Sequence, residues 1–198
     1  MKRFALFSTI IAIPIIISVL AEMLFLTDKL VNPLVISLRL VVIILSLFSV
    51  IALFLAMNDS NLKKWQDAYL LARSKFVSYF WVNILVSLIV TVGFLLLVIP
   101  GIYLGVLYSL ANLVVVLENK RGWNVLKRSA ELVKGHWWEL FFRFFVIILL
   151  VLILSIVIFM VISLFKSKVL ILFAQGIIQI LVTPFMGAYL YLIYKELV

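Results

Sequence analysis

Six stretches of this chain are apolar at almost every position, at about 4–26, 34–57, 76–99, 102–117, 138–165 and 169–194. A half-buried strand alternates polar and apolar residues, and a half-buried helix repeats every three or four. These runs do neither. Most of them exceed the roughly 18 residues at which an apolar run reads as a spanning helix. A lipid-facing barrel would alternate along each strand. The pattern therefore predicts an all-α integral membrane protein with six transmembrane helices.

Two stretches carry a period. Over about 59–75, Leu62, Trp65, Tyr69, Ala72 and Phe76 share one helical face, with Lys63, Lys64, Asp67 and Arg73 off it. Over about 120–135, Trp123, Leu126, Ala130, Val133 and Trp137 share a face, with Lys120, Arg121, Lys127, Arg128 and Lys134 off it. Both patterns predict amphipathic helices lying in the membrane interface, aromatic rings at headgroup level. Gly135 stands where a helix C-cap belongs. At a shift of 58 residues Trp65 falls on Trp123, Ala72 on Ala130 and Tyr79-Phe80 on Trp137-Trp138. Two readings fit: a parallel internal repeat about an axis along the membrane normal, or the likeness of any two basic amphipathic helices. Pro100-Gly101 predicts a tight turn between the third and fourth spans, and Pro184 a kink in the sixth. The start, Met1-Lys2-Arg3 and an apolar run to Val19-Leu20-Ala21, also fits a signal peptide. The run continues through Met23 to Leu26, which favours a retained span.

Composition agrees with the pattern. Hydrophobic residues make up 67% of the 198, with a mean hydropathy of +1.35, against about 45–50% in a soluble domain. The net charge of +9 would suit nucleic acid, but its placement suits a membrane. With the N-terminus inside, Lys2, Arg3, Lys63, Lys64, Arg73, Lys75, Lys120, Arg121, Lys127, Arg128, Lys134, Arg143 and Lys195 lie inside, 13 of the 17 cations. Lys29, Arg39, Lys166 and Lys168 make up the other 4. The positive-inside rule then gives N-in, C-in and puts both amphipathic helices on the cytoplasmic side of a prokaryotic cell membrane. Anionic inner-leaflet lipid is the expected partner, with a homo-oligomer or another membrane protein also open, and no nucleic acid.

Candidate chemistry is sparse. There is no cysteine and a single histidine, His136, and no nucleophile elbow, P-loop or metal-ligand spacing. No cofactor or enzymatic activity is expected. Polar residues within spans mark faces that pack or line a path. Asn83, Ser87 and Thr91 form one such set, Gly105, Ser109 and Asn112 a second, and Gln175, Gln179, Thr183 and Gly187 a third. Glu22 and Arg39 have matching depths and are expected to pair, unless Arg39 snorkels to the headgroups. Glu118 ends the fourth span, where an acid opposes the helix dipole. Arg128 is its first expected partner and Arg143 its second, with a solvated Glu118 the alternative.

Pro100-Gly101-Ile102-Tyr103, Glu118, Trp123, Arg128-Ser129-Ala130-Glu131-Leu132, Lys134-Gly135 and Trp137-Trp138 together resemble a prokaryotic membrane-protein family. It comprises the membrane domain fused to some glycerophosphoryl diester phosphodiesterases, with YciC-like and DUF975-like proteins. Pro184 and Tyr191 to Tyr194 look like its last span. The resemblance covers roughly Leu95 to Val198, implies a membrane module without the phosphodiesterase barrel, and carries over no activity. Two functional readings follow. One is a non-enzymatic module gripping anionic lipid or a partner through Trp65, Trp123, Lys127, Arg128, Lys134 and Trp137. The other is a small transporter or transporter subunit, with a polar path among the third, fourth and sixth spans.

Overall fold

The computed structural model describes residues 2–24, 33–59, 62, 64–163 and 168–198. Among these every regular element is a helix: α1 Lys2–Leu24, α2 Pro33–Asn58, α3 Trp65–Leu96, α4 Val98–Leu107, α5 Ala111–Leu117, α6 Trp123–Val133, α7 Trp137–Ser163 and α8 Lys168–Leu197. Five segments are long and apolar enough to cross a membrane: Ile36–Asn58, Trp65–Leu96, Val98–Leu117, Trp137–Ile158 and Phe173–Leu197. In α1 the described apolar part is the shorter Leu6–Leu20.

Residues Trp65–Leu96 form one continuous helix, where the sequence pattern predicts an interfacial helix over 59–75 and a separate span from 76. Nothing between Lys75 and Phe76 breaks a helix, and the two patterns share a phase. Ala68, Ala72, Tyr79 and Val82 are all buried along one stripe, at the three- and four-residue steps of one helix face. The fourth span differs in the opposite sense. It breaks at Tyr108–Leu110, between α4 and α5. The turn before it also moves. Leu97, with φ −164° and ψ 155°, is the extended residue, and Pro100-Gly101 lie inside the first turn of α4. There the missing proline N–H has no helical partner to lose.

The chain divides into two compact units. The first comprises Met1–Ala72 with Val151–Ala188, the second Arg73–Leu150 with Tyr189–Val198. In the first, α1 packs on α2, with Ile10, Ile11 and Ile51 to Phe54 buried. Here α8 supplies two glycine notches. A Cβ on Gly176 would lie 3.0 Å from Val19, and one on Gly187 2.7 Å from Leu53. Small residues let spanning helices approach closely where lipid gives no hydrophobic drive to pack.

A polar join holds α1, α2 and α3 together. Pro14 lies inside α1 and has no N–H, so the carbonyl of Ile10, four residues earlier, loses its helical donor. The Tyr69 hydroxyl donates to that carbonyl at 2.8 Å. The hydroxyl of Ser49 on α2 lies within hydrogen-bond distance of the same Tyr69 oxygen. Tyr69 is thus a strut rather than an interfacial anchor.

The core of the second unit is α5. Leu110, Ala111 and Leu113 to Val116 are buried almost completely. A seven-residue helix whose one polar side chain is Asn112 needs such a cover, and α6 packs against it. In α6 the buried residues are Val125, Leu126, Ser129, Leu132 and Val133, centred on Ser129. The expected face through Trp123, Leu126 and Ala130 lies roughly a quarter turn away, and Trp123 is exposed.

Candidate functional site

Where α4 breaks, the Leu104 and Val106 carbonyls keep backbone donors, from Tyr108 and Ser109, and the Leu107 carbonyl takes its donor from a side chain. The hydroxyl of Ser129, fully buried on α6, donates to the Leu107 carbonyl at 3.0 Å. The break and the buried face of α6 therefore belong together. Ser109, inside the break, has a buried hydroxyl with no hydrogen bond.

A charged knot lies at the other end of α5, at its C-cap residue Glu118. The Arg128 Nε donates to both carboxylate oxygens of Glu118 at 3.2 Å. Lys120 Nζ lies 2.9 Å from Oε2, and the Tyr194 hydroxyl donates to Oε1 at 3.0 Å. Burial pushes the Glu118 carboxyl up, but the hydrogen bonds from Lys120, Tyr194 and Arg128 outweigh it and hold the group below the ordinary carboxylate range. The knot ties α5, α6 and the end of α8 into one piece. Arg128 also reaches Glu131 at 3.7 Å. Tyr194 escaped the sequence reading, because nothing in the pattern brings a residue 76 positions away to Glu118.

Arg143 is engaged elsewhere, with Glu139 at 2.6 Å and Glu196 at 2.7 Å. Together with His136 these three line a cavity of about 190 Å³. Glu139 follows His136 by three residues in the sequence, and the fold adds Glu196; each shares one oxygen with Arg143.

The basic face of α6 turns outward. Lys127, Lys134, Arg121 and Trp123 are exposed. Among the described residues no carboxylate lies within ion-pair distance of Arg121, Lys127 or Lys134. Trp137 is not part of this free surface. Its indole N–H donates to the Tyr103 carbonyl at 3.2 Å, and its ring stacks on Tyr103 and Phe141. The exposed indole beside it is Trp138, at 67%, which the sequence reading placed at the start of a span. Trp65 is partly exposed and meets Tyr69 edge-on.

The remaining candidates are scattered. Asn83 bonds back to the Tyr79 carbonyl at 2.9 Å, an ordinary intrahelical contact. Asn83 and Asn112 belong to one unit, Gln175 and Gln179 to the other. Both glutamines are exposed. Arg39 is exposed on α2, and the side chain of its expected partner Glu22 lies outside the described residues.

The fold places this chain in a class. Along the most apolar stretch of Trp137–Ile158 no residue is buried inside the protein. A helix with Phe145, Ile148, Leu152 and Ile156 exposed on successive turns, and long and apolar enough to cross a membrane, suits a lipid surround. The protein is an all-α membrane protein. No family model, no curated protein and no solved structure matches it.

Proposed function

We propose that this chain is a non-enzymatic membrane module of six spans, N-in and C-in, that gathers anionic lipid at the cytoplasmic leaflet of a cell membrane. One observation carries the reading: α6 exposes Lys127 and Lys134, with Arg121 just before it, beside an exposed Trp123, and no described carboxylate offsets them. A helix that only fixed topology could neutralise its cations with its own acids. Here Glu131 and Glu118 are both taken by Arg128. Each free cation near an anionic surface contributes about 1 kcal/mol, and an indole prefers the headgroup region. Arg128, half-buried in the Glu118 knot, acts as a strut for this surface. The family resemblance is compatible with a membrane module and adds no activity.

Extraction into native nanodiscs, with mass spectrometry of the lipids retained, tests the reading. Enrichment of anionic lipid should fall on changing Arg121, Lys127 and Lys134 together to Gln, which leaves the Glu118 knot intact. Unchanged enrichment in that triple variant would sink the proposal.

A small transporter or transporter subunit is the second reading, favoured by the exposed amides of Gln175 and Gln179 in α8. Single cysteines at Asn83, Asn112 and Gln179, in a chain with none of its own, separate the two. Labelling of all three by a membrane-impermeant thiol reagent supports a wet path, and silence supports the lipid module.

A further inference from the structure

Between α4 and α7 the second unit has an open groove of about 340 Å³, walled by Ile102, Gly105, Phe141, Phe145 and Ile148, with Phe94 and Gly101 also in its lining. We propose that this groove seats one acyl chain of a membrane phospholipid whose headgroup lies on the Lys134 side. The headgroup part rests on the inner-leaflet reading above; the groove itself does not.

Three observations select this occupant. The groove offers no polar side chain, and it lies within Val98–Leu117 and Trp137–Ile158, both long and apolar enough to span. What fills it in a membrane is therefore hydrocarbon rather than water. Its shape is built by glycine. At Gly101 the Phe94 ring approaches so closely that a Cβ would sit 2.4 Å from it, whereas a Cβ on Gly105 would meet nothing within 4 Å. Phe94 of α3 thus covers α4 at Gly101, while the surface at Gly105 one turn on stays open. From Phe141 to Ile148 that space follows two turns of α7, about 10 Å, a chain-like rather than a compact volume.

The other end has the features of a headgroup boundary. Trp137, on the groove's face of α7, stacks on Tyr103 and on Phe141, and spends its N–H on the Tyr103 carbonyl. That stack gives the mouth a flat aromatic lip with no free donor. Three residues earlier stands Lys134, exposed and without a described carboxylate in reach. A tail along the Phe141–Ile148 wall would bring an anionic headgroup towards that cation. Elsewhere on α7, as at Val146 and Leu149, the exposed surface faces away from this wall. Lipid there is ordinary annular lipid.

The test uses the full chain in phosphatidylcholine vesicles doped with phosphatidylglycerol carrying a photoactivatable acyl chain, with adducts mapped by mass spectrometry. Adducts should concentrate on Ile102, Phe141 and Phe145 over Val146 and Leu149. Gly105→Phe should cut them several-fold while leaving the Val146 and Leu149 signal unchanged. Ile148→Trp, at an already exposed position, is a second way to fill the groove should Gly105→Phe fold poorly. Even labelling around α7, or groove adducts indifferent to both variants, would mean annular lipid only and overturn the proposal. Chain-to-chain crosslinks at the groove in place of lipid adducts would overturn it in favour of a second copy. Repeating the labelling with a phosphatidylcholine probe separates the two readings. Groove adducts equally strong with that probe, and unchanged in Lys134→Gln, keep the acyl site and reject the anionic headgroup. Anionic enrichment that survives Gly105→Phe with no groove adducts does the reverse.

Discussion

A proline in one helix determines what a tyrosine in another must do. Pro14 strips the Ile10 carbonyl of its donor, and Tyr69 replaces it from 59 positions away. Tyr69→Phe would leave that carbonyl unpaired in a buried site, at a cost of about 1–3 kcal/mol. Thermal unfolding in nanodiscs should show the loss in the native background. In a Pro14→Ala background position 14 regains its N–H, so the same substitution should cost much less; an equal loss in both would refute the strut. Glu118 makes a second prediction at this scale. Its folded carboxyl titrates below the ordinary range, so its contribution to stability is complete above the unfolded pKa of about 4.3. That contribution disappears as pH falls through the folded value. The stability gap between the native chain and Glu118→Gln should be full at neutral pH and close on acidification below that point. A gap independent of pH would mean that the carboxylate charge is not what holds the knot.

Elements in this protein are joined by close approach at particular atoms. Gly93 and Gly101 face each other across the α3–α4 hairpin, where a Cβ on Gly93 would lie 3.1 Å from the Gly101 Cα. Gly101→Ala should destabilise by about 1–3 kcal/mol, as overpacking does, and Phe94→Leu should restore part of it, since the Phe94 ring is the nearest obstacle. A double-mutant cycle read by thermal unfolding checks this; strictly additive losses would show that the ring is not the obstacle. Ser129 decides how α6 is seated. Ser129→Ala removes the donor for the Leu107 carbonyl, and leaving that carbonyl unpaired costs about 1–3 kcal/mol. Amide exchange in α6 should rise more than in α2. The amphipathic pattern of α6 was legible in the sequence, but its buried face was not. Leu126 and Val133 suit either face, and the observed one places Ser129 against the Leu107 carbonyl at the end of α4.

At the scale of the whole molecule the governing fact is the amount of apolar surface left outside. The exposed side chains of α7 and the hairpin tip at Leu95 to Ile99 would be insoluble in water and are ordinary in lipid. The proposed topology makes a direct prediction. Reporter fusions that are active only in the cytoplasm should work at both termini, and one inserted after Lys166 should be silent. Activity after Lys166 would reverse the charge argument and move α6 to the outer leaflet.

Sequence alone determined the membrane class and most of the spans, because an apolar run needs no partner in order to be read. It also marked Glu118 as an acid in need of a cation, from local electrostatics at a helix end. Only the tertiary structure decided that α3 runs unbroken through an amphipathic stretch and a span, that the fourth span breaks at Tyr108, and that Tyr69, Tyr194 and Trp137 each bond to a partner on another helix. The physical reason is range. Hydrophobicity and helix continuation act over neighbours in the chain, whereas each strut answers a carbonyl or a charge brought near by folding from dozens of residues away.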